Sequence, residues 1–201
     1  EARKGEKFPA INHKTYDLEP GMCVIADAEQ PVGLGGVMGG LDSEVSPSTK
    51  DLLIEAADFD PLSIRTTARK LALRSDSSYR FERGVDPEGI DWASRRCCEL
   101  ILEICGGEMA EGVIDIGTKP QPRPPIVLRL SQLKRIIGID IPTDVVERIL
   151  SSLGLAPLAP ERGEGPGVRG FRPPSWRRDL EREIDLIEEA ARIYGYDKIP
   201  E

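Results

Sequence analysis

The sequence predicts an α/β domain, a mixed sheet with helices, followed by a small α+β domain. Short apolar runs separated by turn residues alternate with two segments that open on Asp-Pro and continue with helical spacing. Four prolines fall within Thr118–Pro125, removing backbone donors and forcing extended chain. The charge balance changes at the same place: residues 1–125 carry 15 basic and 22 acidic side chains, and 126–201 carry 12 and 13. Domains are therefore expected at 1–120 and 126–201.

In the first domain, Cys23–Ala26, the Gly-interrupted run Pro31–Met38, and Leu52–Ala56 read as strands. Asp60 is placed to cap a helix that starts at Pro61 and continues through Leu62, Arg69 and Leu73 towards Arg74. Asp86-Pro87 repeats the device and opens a long helix to Cys105, stopped by Gly106-Gly107. Glu111–Ile116 reads as a closing strand. In the second domain Ile126–Leu130 alternates as a strand, and Ser131 caps a helix over Gln132–Ile137 that ends at Gly138. Thr143 caps another over Asp144–Leu153, with Gly154 behind it. Residues 156–170 are rich in Gly and Pro and read as a mobile turn between two strands, and a last helix spans Glu181 to Tyr194.

The 201 residues are 39% hydrophobic and 31% charged, with no apolar run near the roughly 20 residues of a membrane helix. This excludes a disordered or helix-spanned membrane protein. A net charge of −8 argues against a protein that coats DNA or RNA by bulk attraction and leaves only a local basic site. Cys23, Cys97, Cys98 and Cys105 form no C-x-x-C pair and the first residues form no apolar leader, so reduced thiols in a cytoplasm are expected. Cys98 and Cys105, with Ile101, have core-like spacing. His13 is the single histidine, which rules out a histidine cage or relay and leaves carboxylates, hydroxyls and backbone for any chemistry. The chain opens mid-phrase and closes on Lys198-Ile199-Pro200-Glu201, as a piece of something longer would.

Four stretches could carry chemistry. Gly33–Gly40 holds five glycines in eight residues, which permits close approach of a ligand or, equally, tight packing; it lacks the Lys-Ser/Thr of a phosphate loop. Ile64–Gly84 concentrates Arg65, Arg69, Lys70, Arg74, Arg80 and Arg83 against Asp76 and Glu82, around a Ser75–Ser78 polar run. Such a patch positions phosphates or is a solvated helix face. Glu55 interrupts the apolar run of residues 52–57, so it points to solvent or serves a site. Asp179, Asp185, Glu188 and Glu189 cluster around the last helix, the latter three sharing a face by spacing, where they could hold a hard cation or simply be solvated.

These stretches, in this order, resemble the β subunit of bacterial phenylalanine–tRNA ligase. The resemblance rests on residues 33–40, 52–87, 104–107 and 173–200, which together span nearly the whole chain. It implies an editing module to about residue 120, then a small winged-helix-like module that faces nucleic acid. Editing there means hydrolysis of tyrosine wrongly esterified to tRNA(Phe). The resemblance gives Glu55 the tyrosine hydroxyl, makes Gly39 a pocket glycine, and puts Ser75 and Ser77 where the family usually has Thr and Ala. Arg65, Arg69, Arg74 and Arg80 would place the tRNA end. Asp179, Asp185, Glu188 and Glu189 match carboxylates assigned to Mg²⁺ shared with the α subunit. The family's editing histidine has no counterpart, because counting back from Glu55 puts it before residue 1. By implication the whole assembly is a cytoplasmic α₂β₂ heterotetramer taking ATP, phenylalanine, tRNA and Mg²⁺. The aminoacylating site belongs to α, so this chain is not a complete ligase. The alternative is a non-catalytic scaffold that positions tRNA, with editing lost or truncated.

Overall fold

Phe8 is fully buried between the exposed Lys7 and the half-buried Pro9, and that single inward side chain anchors a hairpin. Strand β1 (Lys7–Pro9) pairs antiparallel with β2 (Thr15–Asp17), Phe8 opposite Tyr16. His13 sits in the connecting turn at φ 60°, its N–H donating to the Ala10 carbonyl at 2.8 Å. Strands of three residues carry too little alternation to be recognised in sequence, and this hairpin was not among the expected elements. Strands β3 (Val24–Ala26), β4 (Pro31–Leu34) and β5 (Met38–Gly39) follow as an antiparallel meander, with Gly33 opposite Gly39. The computed structural model describes residues 1–118, 121–159 and 167–199. Small sheets mixed with helices fit the expected α/β class, although every strand pair among the described residues is antiparallel.

Helix α1 (Pro61–Lys70) starts as its sequence dictates. The Asp60 carboxylate accepts from the Ser63 N–H at 2.7 Å, and Pro61 fills the first position, where no donor is needed. It stops four residues before Arg74. Ala72 turns to φ 50°, Leu73 drops into the core, and Ser75 caps a separate helix, α2 (Asp76–Phe81). A 3₁₀ turn at Pro87–Gly89, capped by Asp86, leads into α3 (Ile90–Cys105), and Gly106 ends it at φ 71°. Core residues of this unit include Leu18, Leu34, Val37 and Ile64 with Phe8.

Three expectations need correction here. Leu52–Ala56 and Glu111–Ile116 form no strands, because neither finds a strand neighbour among the described residues; Leu53 and Ile116 are 95% and 89% exposed. Helix α3 buries no residue fully, and Cys105 is exposed, so the Cys98–Cys105 spacing does not mark a core face. Apolar periodicity records what a segment can bury, and the partner decides whether it does.

The chain divides into two compact units, Glu1–Ile114 and Asp115–Glu201. In the second, β6 (Ile126–Arg129), β7 (Ala156–Pro157) and β8 (Val168–Arg172) form an antiparallel sheet with β8 in the centre. Helices α4 (Leu130–Ile137), α5 (Thr143–Ser152) and α6 (Glu183–Tyr194) supply the rest. Leu128, Leu133, Val146, Leu150, Phe171 and Leu186 form the centre of its core. Ser131 and Thr143 do not cap: each helix starts earlier, so both lie in the first turn, and neither Arg129 nor Pro142 at the cap position makes a side-chain bond to its helix start. Gly138, at φ 80°, does end α4. The expected turn within 156–170 falls partly outside the described residues, at 160–166. Among the described residues no helix is long and apolar enough to cross a membrane.

Adjacent glycines of the meander answer to different constraints. A Cβ on Gly40 would lie 2.6 Å from the Val32 carbonyl oxygen, to which Gly40 already donates at 2.9 Å. On Gly39 it would meet only Ile11 Cγ2, at 3.7 Å. Gly40→Ala is expected to cost about 2 kcal/mol in urea unfolding, and Gly39→Ala to stay within about 0.5 kcal/mol of the parent. Equal losses at the two positions would refute this division.

Candidate functional site

The glycine loop and helix α2 are joined by two serine hydroxyls. Gly36 adopts φ 65°, and a Cβ there would press on Ile64 and the Phe59 ring at 2.9 Å, so the loop backbone lies directly on the core. Ser75 Oγ donates to the Val37 carbonyl at 2.6 Å and accepts from the Ser78 N–H at 3.0 Å. Ser77 Oγ donates to the Gly36 carbonyl at 3.0 Å. Ser78 completes the cap, its Oγ accepting from the Ser75 N–H at 2.9 Å. Phe81 meets Phe59 edge to face, centroids 5.0 Å apart, below the loop. Both hydroxyls at 75 and 77 are thus committed to loop carbonyls.

Beside this junction runs a groove of about 1300 Å³. Its apolar walls include Ile11, Met38, Leu53 and Trp92, and Gly39, Glu55, Ser75 and Ser77 all border it. The structure therefore brings together the four residues expected of an editing pocket. Glu55 is exposed by area and accepts no hydrogen bond among the described residues, yet enough protein surrounds it for burial to raise its carboxyl above the ordinary glutamate range. It lies on the unpaired segment 51–60, not on a strand. Ile11 and Trp92 were missed as lining residues. Ile11 belongs to the unrecognised hairpin turn, and Trp92, 71% exposed on α3, is visible in the sequence only as one aromatic in a helix.

A second cavity, of about 530 Å³, lies between α1 and α2. Arg65, Arg69, Arg74 and Arg83 line it, and Ser75 and Asp76 border both cavities. Arg80 is exposed on α2 and is not among the lining residues. The expected arginine set is thus brought together in part.

The four carboxylates near α6 do not converge. Asp179 is held by Arg177, Nε to Oδ1 at 2.9 Å and Nη2 to Oδ2 at 2.6 Å, and the guanidinium lowers its pKa. Burial works to raise the Glu189 carboxyl, but Arg192 and Arg177, the latter at 2.6 Å, outweigh it and leave the pKa below the usual range. Asp185 accepts from the backbone N–H groups of Glu181 and Arg182 at 2.9 and 2.7 Å, capping the start of α6; burial opposes these bonds, which nevertheless lower its pKa. Glu188 faces solvent. Among the described residues no three metal-ligating side chains gather. Oxygens turned to guanidiniums and helix N–H groups do not fit a magnesium site on this chain. Spacing put three of the four on one helical face, whereas the fold gives each a different neighbour.

Each unit matches a known family model. Residues 1–106 match the family model described as the B3/4 domain, and residues 126–196 match the tRNA synthetase B5 domain. A phenylalanine–tRNA ligase β subunit from Rhodopirellula baltica is 51% identical over 199 residues, covering 99% of this chain and 28% of the relative. The β subunit from Salinibacter ruber is 45% identical over 96% of this chain and 23% of its own. That from Paramagnetospirillum magneticum is 44% identical over 99% and 24%. The chain thus spans about a quarter of the length of the curated relatives it matches.

Proposed function

Because this chain belongs to the B3/4 domain family and, with its B5 module, to the phenylalanine–tRNA ligase β subunits, we propose that its first unit edits tyrosine esterified to tRNA(Phe). The observation that carries the reading is Glu55, a carboxylate of raised pKa, without a hydrogen-bond partner among the described residues, bordering a largely apolar groove. An aromatic amino acid would lie against Ile11, Met38 and Trp92. Its phenol would donate to Glu55, and a carboxylate already short of solvating water gains from such a donor. Phenylalanine offers no donor and leaves the carboxylate as it was, so discrimination follows from a hydrogen bond. Gly39 would keep the floor open, since nothing in the chain itself resists a side chain there. Ser75 and Ser77 would shape the pocket by anchoring the glycine loop. The reaction would be attack of a positioned water on the ester, with the arginines Arg65, Arg69, Arg74 and Arg80 holding the tRNA end.

The second unit we read as a winged-helix-like module that faces tRNA or neighbouring parts of the ligase. The α subunit, an α₂β₂ assembly, ATP, phenylalanine and magnesium belong to the same proposal at the level of the whole cytoplasmic enzyme. No step on this chain is assigned to them. The competing reading, a scaffold without editing, is favoured by one observation: the groove offers carboxylates but no histidine, and its two serine hydroxyls are already engaged.

Deacylation of tyrosyl-tRNA(Phe) by the purified chain, against a no-protein blank, separates the two. Hydrolysis above blank that falls at least tenfold in Gly39→Ala, with stability unchanged, is the expected result. A rate equal to blank would favour the scaffold.

A further inference from the structure

We propose that the cavity between α1 and α2 is a single-nucleotide subsite, binding the phosphate of a single-stranded RNA through Arg65, Arg69 and Arg74 and stacking its base on Tyr79 and Arg83. The inference rests on the editing reading for its substrate and adds a base-binding platform to it. Arg65, Arg69 and Arg74 line the cavity and make no hydrogen bond or ion pair among the described residues. Three uncompensated guanidiniums facing one cavity leave their charge for an external anion. Against them stand Asp76 and Glu82, and Glu82 is already held by Arg83 at 2.7 Å. In a chain of net charge −8 this attraction must be local, because the bulk field repels a polyanion.

The aromatic group is the second, independent observation. The Arg83 guanidinium lies over the Tyr79 ring, 3.6 Å from its centroid, and is fixed there by donation to the Tyr79 carbonyl at 2.7 Å. Both side chains line the cavity, and Tyr79 is 61% exposed. An exposed aromatic ring backed by a guanidinium is a surface on which an unpaired base stacks, whatever its identity. Ser75 and Asp76 separate this cavity from the groove that holds Glu55. A single strand lying in one cavity could therefore pass its terminal ester over that partition into the other, which is why an esterified RNA, and not a free amino acid, suits the pair.

The test is fluorescence anisotropy of a labelled single-stranded RNA pentanucleotide, and of its abasic counterpart, with the full chain over a salt series. Replacing all three arginines with alanine is expected to weaken binding at least tenfold and to lower the salt slope by roughly 0.7 per guanidinium removed. Tyr79→Ala is expected to weaken the intact RNA roughly tenfold and leave the abasic one unchanged, while Tyr79→Phe restores binding. All these positions are exposed, and thermal melts check that the variants fold. Arg96→Ala, on α3 outside the cavity, should bind as the parent does. Absence of RNA binding at low salt, an equal loss in Arg96→Ala, or a Tyr79→Ala effect that ignores the base would each overturn the proposal. If the pentanucleotide binds as expected but tyrosyl-tRNA(Phe) is not hydrolysed, the subsite stands and editing falls. Glu55-dependent hydrolysis indifferent to Tyr79 and the three arginines would remove the subsite alone.

Discussion

Arg177→Ala is expected to destabilise the second unit by about 3 kcal/mol, the cost of removing one partner from a largely buried charge network. Arg177 and Glu189 retain only 20% and 12% side-chain exposure, and their bond at 2.6 Å ties the 173–180 segment to α6. The same segment is gripped from the other side by Arg123, which donates to the Arg177 carbonyl at 2.8 Å and to that of Leu180. Losing the guanidinium leaves Glu189 with Arg192 among the described residues and removes the hydrogen-bond donor of Asp179. The pH dependence follows in sign. Asp179 and Glu189 have depressed folded pKa values, so their contribution is complete above the unfolded values of about 4. It is lost as pH falls through the folded values, because the unfolded chain takes up protons first. Urea unfolding monitored at Trp176 between neutral pH and about pH 2 should show a steep acid decline in the parent and a shallower one in Arg177→Ala. The double variant Arg177→Met/Glu189→Leu should recover much of the loss, since an apolar pair of similar volume avoids burying charge. Parallel pH curves for parent and Arg177→Ala would show that the network carries no stability.

Glu55→Ala should abolish preference for tyrosine in deacylation while leaving the fold intact. A hydrogen bond to a charged acceptor contributes about 2 kcal/mol, so the tyrosine-to-phenylalanine ratio of kcat/KM should fall roughly thirtyfold. The side chain is exposed and accepts no hydrogen bond among the described residues, so its removal breaks none there. Glu55→Gln keeps an acceptor without the charge and should lose less. Because burial raises the Glu55 pKa, its carboxyl should also titrate above an ordinary glutamate in NMR, and a bound tyrosine should lower that value by favouring the ionised acceptor. A selectivity unchanged in Glu55→Ala would move recognition of the phenol to another side chain.

Some local signals specify their element without help from the rest of the chain. Asp60-Pro61 and Asp86-Pro87 open helical turns because a carboxylate and a proline satisfy a helix start by themselves. Gly106 and Gly138 end helices because their backbones take positive φ. The order of the motifs, from the glycine loop to the acidic last helix, was enough to identify the family, since it depends on residue identity alone. Glu55, Gly39, Ser75 and Ser77 could be named as a group on that basis.

What the sequence by itself determined, then, is membership, the two Asp-Pro helix starts, the glycine stops and the inventory of charged groups. Only the tertiary structure decided which of those groups remain available. It spends the hydroxyls of Ser75 and Ser77 on loop carbonyls, gives Asp179 and Glu189 to Arg177, and leaves Arg65, Arg69 and Arg74 without partners among the described residues. It also leaves Leu52–Ala56 and Glu111–Ile116 unpaired although their composition suits strands. The physical reason is common to all of these but the Asp179–Arg177 pair, whose members lie two residues apart. Hydrogen bonds, ion pairs and strand ladders are formed with neighbours distant in sequence, and periodicity specifies one side of such a contact while the fold supplies the other.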